Sequence, residues 1–418
     1  MQKENRKHTR RDFRRTTIYS LGAIVLLGAA IAAGCRHKTD EYRADGGIAP
    51  CEITEPFDRL FTPMFPEDGP GAIVAVMRDG KIVYQHSFGL SRLDEPQHIT
   101  DSTVFNIASG SKTFASVALL KLNQDPNVDI LLDDPLSKYF PEFPKKIFDN
   151  IKVSDIMNHT SGLPELRPRN TKEWDEYLSN TSSIFIEAPD FRLFGTEEEH
   201  MKVFALLDST AYEPSVHYQR TDPALVLIAP LVERVTGQKY DVWMKENIFD
   251  PAGLHETTYY GGLERYKDRL THGYRAATDS DPNSPDSKWE EYDYGEADFF
   301  LTKADRGAFS SVRDILSFRK QLFDGKIIAD SMLELYRHPS ITVTTSHHAK
   351  MAMGMGLRIR PGYPFTIYHC NYNGGYRYIE ASFPDIDLHY VIMATRADWD
   401  GYHIIDVVDS ILKAKEWI

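Results

Sequence analysis

A serine and a lysine three residues apart carry the strongest chemical signal in the chain. Ser109 follows a short apolar run that begins at Phe105, and Lys112 lies in the first turn of a predicted helix rich in Ala, Leu and Lys. Residues three apart share a helix face, which brings the Lys112 amine close to the Ser109 hydroxyl. A serine hydroxyl is a poor nucleophile until a base takes its proton, and a partly desolvated lysine amine can be that base. The free N–H groups and the positive dipole at the helix N-terminus also favour a developing oxyanion.

The Ser-x-x-Lys spacing alone is weak, because Ser317 and Lys320 repeat it. That copy lies within an amphipathic run from Phe309 to Leu322, with no strand leading into it. We interpret it as a solvated helix face. The interpretation of Ser109 therefore depends on its context. Ser109 lies where a strand-like run ends and a helix begins.

The first 34 residues predict an export signal rather than part of the fold. Thr9-Arg10-Arg11-Asp12-Phe13 resembles a twin-arginine signal, and the apolar stretch from Ile18 to Ala33 is short for a membrane span. Ala32-Ala33-Gly34-Cys35 resembles a bacterial lipoprotein cleavage box, in which Cys35 would carry the lipid. The alternative is an uncleaved signal anchor. Either way we expect the chain to lie in the cell envelope, outside the cytoplasm and held at a membrane.

Composition narrows the range of partners. The whole chain has a formal net charge of −13, and because the leader holds seven basic and two acidic residues, the remainder has −18. Such an acidic body argues against nucleic acid and against anionic lipid surfaces. We expect a monomer, with the membrane contacted only through a lipid at Cys35.

The cysteines and histidines predict no structural metal and no disulfide framework. After Cys35 only Cys51 and Cys370 remain, and whether they pair is left open. His347 and His348 stand in a polar turn that we interpret as surface.

The order of predicted elements indicates an α/β fold. Residues 35–56 have the polar composition of a tether, and residues 57–418 form the predicted catalytic domain. A hairpin with Asp79-Gly80 at its turn comes first, and three strands punctuated by Asn373-Gly374-Gly375 and Pro384-Asp385 come last. This order predicts an antiparallel sheet built by both chain ends and flanked by helices, plus an inserted all-helical lobe at about residues 135–330. A cleft between the two lobes is the expected site.

Four stretches in this order resemble the serine β-lactamase-related hydrolases of the class C type, with penicillin-binding proteins and family VIII esterases. They are Phe105–Phe114, His159–Pro164, Tyr218–Gly237 and His369–Tyr376. The resemblance extends from about Asp58 to Lys415. It implies a mixed α/β lobe beside a helical lobe, and no metal or organic cofactor.

The resemblance implies roles for individual residues. Ser109 matches the acylated nucleophile, Lys112 its basic partner, and Tyr218 a tyrosine that assists proton transfer. His369 matches the first position of the third motif, on the strand that borders the cleft. The oxyanion hole would use the backbone N–H groups of Ser109 and Tyr372. We interpret the turn from His159 to Gly162 as structural.

Two positions depart from the family pattern. Arg220 stands where the family has asparagine, and Asn371 stands where the third motif has glycine. A side chain at 371 narrows the path along the strand. One hypothesis is that Arg220 keeps Lys112 neutral by like-charge repulsion and binds a substrate carbonyl or carboxylate. The alternative is that Arg220 points away, into a salt bridge with the acidic loop between Asp279 and Asp305.

The sequence favours a serine hydrolase that forms an acyl-enzyme on an ester or amide. With two motifs altered, esterase or D-amino-acid peptidase activity is expected rather than efficient β-lactam hydrolysis. The competing hypothesis is an inactive envelope lipoprotein that binds peptidoglycan fragments or a protein partner.

Overall fold

The computed structural model describes residues 48–164, 196–219, 221–282, 284, 286–292, 300–338, 349–352 and 355–418. The predicted export leader, Cys35, Arg220 and the pair His347-His348 lie outside the described residues. Within these ranges, no helix combines the length and apolarity needed to cross a membrane.

A seven-stranded antiparallel sheet is formed by the two ends of the described chain. Its order is β10-β11-β12-β13-β14-β1-β2, so the first hairpin pairs with the last strand, as predicted. The strands of this sheet are β1 (Ala72–Arg78), β2 (Lys81–Phe88), β10 (Ala349–Ala352), β11 (Met355–Arg358), β12 (Thr366–Asn373), β13 (Tyr376–Phe383) and β14 (Leu388–Ala394).

Short turns set the register of this sheet. Asp79 and Gly80 both have positive φ, 51° and 69°. These angles are typical of the two-residue hairpin turn whose twist matches that of the flanking strands. Asp tolerates this conformation better than most residues, and Gly adopts it without a steric penalty. The turn predicted at Asp-Gly is therefore confirmed.

Helices cover both faces of the sheet. They are α1 (Thr54–Phe61), α2 (Ser111–Gln124), α3 (Lys145–Phe148), α4 (Val153–Asn158), α5 (Glu197–Phe204), α6 (Asp222–Val226), α7 (Ile228–Thr236), α8 (Tyr240–Met244), α9 (Val312–Phe323), α10 (Asp330–Arg337) and α11 (Gly401–Ala414). The alternation of side chains along β1 divides the core in two. Ile73 and Ala75 join the core that contains α2 and α9, whereas Val74 and Val76 join the core that contains α1 and α11. The predicted α/β class is confirmed.

The middle of the chain is less uniformly helical than predicted. Two small antiparallel sheets accompany its helices, one of order β5-β9-β6 and one of β7 with β8. The short strands are β3 (Leu90–Arg92), β4 (Gln97–His98), β5 (Phe105–Asn106), β6 (Thr258–Tyr259), β7 (Tyr274–Ala276), β8 (Trp289–Glu291) and β9 (Ala308–Ser310). Strand β9 pairs with β5, which leads into Ser109, so this part of the middle helps to support the site.

The predicted tether ends too late. Helix α1 begins at Thr54, inside the predicted 35–56 segment, and Ile53 is fully buried. The reason is the amphipathic spacing of Phe57 and Phe61, whose rings pack against Tyr84 and Phe88 of β2. The fold therefore includes residues from at least Ile53 onward.

Two sequence alternatives are settled by local contacts. Ser317 lies in the middle of α9, where its hydroxyl donates to the Ala252 carbonyl oxygen at 3.1 Å, and Lys320 pairs with Asp324. That Ser-x-x-Lys copy therefore lies within a helix, as interpreted, but Ser317 is half-buried rather than solvated. The strand Ala308–Ser310 also leads into this helix, contrary to the prediction. Cys51 and Cys370 are both free thiols.

A buried ion pair connects the sheet to three helices, α2, α9 and α10. The Arg319 Nε donates to Glu380 at 2.8 Å, and other guanidinium nitrogens donate to the Tyr336 hydroxyl at 2.7 Å and to the Thr113 hydroxyl at 3.1 Å. Both charged side chains are almost fully buried. Burial alone would raise the pKa of Glu380, but the Arg319 guanidinium outweighs it, and the pKa lies below its ordinary value.

We predict that Glu380→Gln destabilises the fold by about 3–5 kcal/mol, because it leaves Arg319 buried without a counter-charge. A carboxylate whose pKa is lowered by folding stabilises the folded state at pH values above its unfolded-state pKa. This stabilisation is lost as the pH falls through the folded-state pKa. The difference in the free energy of unfolding between the wild type and Glu380→Gln should therefore become smaller at acidic pH. Urea unfolding at pH 7 and at acidic pH measures both effects.

The exposed pair of Arg275 and Glu290 gives the matched control. Glu290→Gln should cost less than about 1 kcal/mol, because solvent screens that pair. Equal losses in the two variants would contradict the role assigned to the buried pair.

Candidate active site

Ser109 lies in a strained turn between β5 and α2. The turn, Ala108–Gly110, is one short 3-10 helix, and Ala108 has φ of 48°, a left-handed conformation that alanine rarely adopts. Two side chains hold it. The Ala108 N–H donates to the Asn106 side-chain oxygen at 2.9 Å, and the Ser111 hydroxyl donates to the Ala108 carbonyl oxygen at 2.8 Å. Such strain persists only where the surroundings enforce it, and it concentrates at functional sites.

Asn106 connects this turn to two other parts of the fold. Its side-chain amide donates to the carbonyl oxygens of Arg306 and Ala308, at 3.0 and 3.1 Å. Its side-chain oxygen also accepts from the Asn373 amide at the end of β12, at 3.2 Å. The nucleophile candidate is thus fixed relative to the strand that borders the predicted cleft.

Gly110 lets the turn approach the sheet closely. A β-carbon at this position would lie 2.6 Å from the Tyr378 ring of β13, far inside van der Waals contact. Ser109 itself retains 8% of its accessible surface. The turn is therefore pressed onto the sheet while the serine remains at the boundary of the core.

Lys112 lies one turn further along α2 and is 2% exposed. Its amine forms an ion pair with one carboxylate oxygen of Asp222, the first residue of α6. The other oxygen of Asp222 lies 3.8 Å from the Arg306 guanidinium, which also donates to Asp305 at 2.6 Å. Sequence reasoning missed Asp222, although the Thr221-Asp222-Pro223 start of a helix so near Tyr218 was a usable signal.

Tyr218 is half-buried and belongs to the same segment as Asp222. Its ring meets the His159 ring edge-on, with centroids 5.7 Å apart. The His159 carbonyl oxygen accepts from the Gln219 N–H at 2.9 Å, and its imidazole Nδ1 lies 3.2 Å from the Thr221 nitrogen. The buried turn at His159 therefore positions the segment that carries Tyr218 and Asp222, in agreement with its structural interpretation.

His369 points toward α2. It is 5% exposed, and its Nε2 lies 3.0 Å from the Thr113 hydroxyl, the same hydroxyl that accepts from Arg319. Its Nδ1 lies 3.1 Å from the Asn371 amide nitrogen. His369 therefore connects β12 to α2. In this orientation its imidazole is turned toward α2, and it would have to turn away from Thr113 to make its predicted contact with substrate.

Asn371 and Tyr372 extend to opposite faces of β12. Asn371 is half-buried on the side of His369, at the position where the resemblance implies glycine. The Tyr372 side chain is 70% exposed, and its ring meets the Arg377 guanidinium at 5.3 Å. The predicted role of Tyr372 depends only on its backbone N–H, and that role stays a prediction.

We predict that Asn106→Ala slows covalent modification of Ser109 by about 10- to 100-fold, because a displacement of about 1 Å at a reacting group has that effect. The variant loses one of the two side-chain contacts that hold Ala108 in its left-handed conformation, whereas that of Ser111 remains. The rate with a fluorophosphonate probe, read by intact-protein mass, is the measurement. Asn150→Ala is the control, since among the described residues the Asn150 side-chain amide donates only to the surface carbonyl oxygen of Lys146. Equal rates for all three proteins would contradict the prediction.

Comparison with known proteins agrees with the geometry. The family model described as Beta-lactamase matches residues 57–410. The chain is similar to a D-aminopeptidase of Brucella anthropi, 27% identical over 296 residues that cover 69% of this chain and 49% of that protein. It is also similar to a putative D-alanyl-D-alanine carboxypeptidase of Escherichia coli (strain K12), 24% identical over 318 residues, covering 69% of this chain and 68% of that one. The chain thus spans about half the length of the D-aminopeptidase.

Solved structures show the same fold. The D-amino acid amidase from Ochrobactrum anthropi SV3 superposes with a TM-score of 0.65 at 22% identity, over 86% of this chain and 99% of that one. The octameric penicillin-binding protein homologue from Pyrococcus abyssi gives 0.65 at 18% identity, over 82% and 72%. Since the family model covers most of the chain and ends beyond the last strand of the sheet, the protein belongs to the beta-lactamase family.

Proposed function

We propose that the protein is a serine hydrolase that cleaves an ester or amide through an acyl-enzyme at Ser109. One observation carries this proposal. The structure holds Ser109 in a strained turn at the start of α2, with the buried amine of Lys112 one helical turn away. The left-handed residue is Ala108, directly before Ser109, and strain of this kind concentrates at functional sites, where it can present a hydroxyl to a substrate.

The proposed reaction has two steps. The Ser109 oxygen attacks the substrate carbonyl carbon while neutral Lys112, assisted by Tyr218, accepts the hydroxyl proton. The tetrahedral oxyanion is stabilised by backbone N–H groups, for which those of Ser109 and Tyr372 are the candidates. The bond to the leaving alcohol or amine then breaks as that group takes up a proton. Water attacks the acyl-serine ester in the second step and releases the acid.

The substrate class we propose is a small ester or an amide of a D-amino acid. The names of the D-aminopeptidase, the carboxypeptidase and the amidase support it. Asn371 also supports this class of substrate. Its side chain lies beside His369 on β12, where it narrows the path of a substrate that would lie flat against the strand. We do not propose efficient β-lactam hydrolysis.

One contact favours the second candidate, an inactive envelope protein that binds peptidoglycan fragments or a protein partner. An amine held in an ion pair with Asp222 is an ammonium, which cannot accept the proton of Ser109. If the pair never opens, the site binds but does not react.

A fluorophosphonate probe and a fluorescent penicillin separate the two candidates. We predict a covalent adduct on the Ser109 peptide of the wild type, none in Ser109→Ala, and a rate about 10²- to 10⁴-fold lower in Lys112→Ala, the usual effect of losing a general base. Peptide mass spectrometry identifies the modified residue.

Ser317→Ala is the matched control, because it removes the serine of the other Ser-x-x-Lys copy and should label like wild type. Absence of any adduct on Ser109 in the folded wild-type protein would favour the binding protein over the enzyme.

We also propose that the protein is an envelope lipoprotein anchored through Cys35, and that it is a monomer. The predicted lipoprotein box supports the anchor. In a bacterial host fed an alkyne-labelled fatty acid, the wild type and Cys51→Ser should incorporate the label and Cys35→Ser should not. Light scattering tests the monomer. Recovery of an unlabelled protein with its first 34 residues intact would contradict the anchor.

A further inference from the structure

The partner of Lys112 decides when that lysine can act as a base. Lys112 is 2% exposed, and burial of an ammonium without a counter-charge is costly. The structure provides the counter-charge from Asp222, 110 residues further along the chain and on a different helix. Nothing in the Ser-x-x-Lys chemistry itself requires this carboxylate.

Charged groups on the neighbouring elements leave Asp222 with Lys112. Arg306 lies 3.8 Å from the second Asp222 oxygen, beyond hydrogen-bond distance, and its Nε donates to Asp305 at 2.6 Å. His369 of β12 contacts Thr113, and His159 contacts the backbone of Thr221 and the ring of Tyr218. Of these two described cations, the Lys112 amine is therefore closer to Asp222 than the Arg306 guanidinium is.

Arg306 is held back by a buried carboxylate. Asp305 is 1% exposed, and its Oδ1 has no hydrogen-bond partner among the described residues, so the Arg306 guanidinium is its principal charge compensation. Movement of Arg306 fully onto Asp222 would leave Asp305 buried and uncompensated. Lys112, Asp222, Arg306 and Asp305 thus form a row of charges that alternate in sign. This alternation stabilises the pairing of Asp222 with Lys112.

We propose that Asp222 is a positioning residue that holds Lys112 as an ammonium and thereby restrains the reactivity of Ser109 near neutral pH. This proposal rests on the proposed function of Ser109. The proton that Lys112 must lose leaves to solvent, which occurs more readily as pH rises. The lysine becomes a base only then, and acylation accelerates toward alkaline pH.

The pH dependence of Ser109 modification by the fluorophosphonate probe tests the restraint. In Asp222→Asn, the rising limb of rate against pH should move to lower pH by about one to three units, the usual effect of one neighbouring charge. The rate at pH 7 should rise at least about tenfold, which corresponds to the lower end of that shift. Arg306→Gln should move the limb to higher pH, because it removes a cation that competes for Asp222 and repels the lysine proton.

Two controls keep this test specific. Asp222→Glu retains the charge and should keep its rising limb closer to wild type than Asp222→Asn does. Asp134→Asn removes a carboxylate of similar exposure that pairs with Lys138, and it should leave the limb unmoved. A limb that stays in place in Asp222→Asn, while Ser109 still reacts, would overturn the proposal.

A direct titration of the amine separates this proposal from the proposed function. Nuclear magnetic resonance of protein labelled with ¹³C at lysine Cε, with Lys112→Arg to assign the signal, follows the charge of Lys112. We expect its midpoint to fall in Asp222→Asn. If that midpoint falls but Ser109 never reacts, Asp222 does hold the charge on Lys112 but the hydrolase fails, and the restraint on Ser109 fails with it. If the midpoint does not move, the restraint fails whatever Ser109 does.

Discussion

The left-handed backbone at Ala108 is the constraint on which the site depends. A non-glycine residue in this region costs about 1–3 kcal/mol, so other contacts must stabilise it. Asn106 and Ser111 supply them through hydrogen bonds to both backbone groups of Ala108. The same two side chains also contact the backbone of Ala308. The orientation of Ser109 is therefore a property of three separate chain segments rather than of the motif alone.

The sheet supports this turn from below. Gly110 meets Tyr378 of β13, and Asn373 at the end of β12 reaches Asn106. Beneath them, the buried pair of Arg319 and Glu380 joins α9 to β13 and reaches α2 through Thr113. His369 bonds to the same threonine hydroxyl, so the third motif and the helix of the nucleophile share one polar network. A buried polar network of this kind stabilises the fold only when each of its groups has a hydrogen-bond partner.

Local patterns predicted much of the fold and the strand-to-helix position of the candidate nucleophile. The Asp79-Gly80 turn, the late strands and the strand-to-helix transition at Ser109 each depend on neighbours in sequence, and the structure confirms them. The end of the tether was misjudged because the two phenylalanines of α1 become meaningful only against the rings of β2.

The electrostatic surroundings of Lys112 could not be predicted in the same way. The hypothesis about Arg220 assumed a cation near the amine, and Arg220 lies outside the described residues. Among the described residues, the structure places the carboxylate of Asp222 against the Lys112 amine. This contact joins residues 110 positions apart, on two helices that are distant in sequence. The charge of Asp222 is opposite in sign to the charge that the hypothesis assumed, and it is this anion that we propose restrains Lys112.

The most direct test of the central claim is to trap the acyl group during turnover of a simple substrate. Rapid mixing with a p-nitrophenyl ester of a D-amino acid, acid quenching and peptide mass spectrometry would locate the acyl group. We predict that the peptide containing Ser109 gains the acyl mass within the first turnover and loses it as the ester is exhausted. Release of p-nitrophenol with the acyl group on another residue, or with no acylated peptide and an undiminished rate in Ser109→Ala, would contradict it.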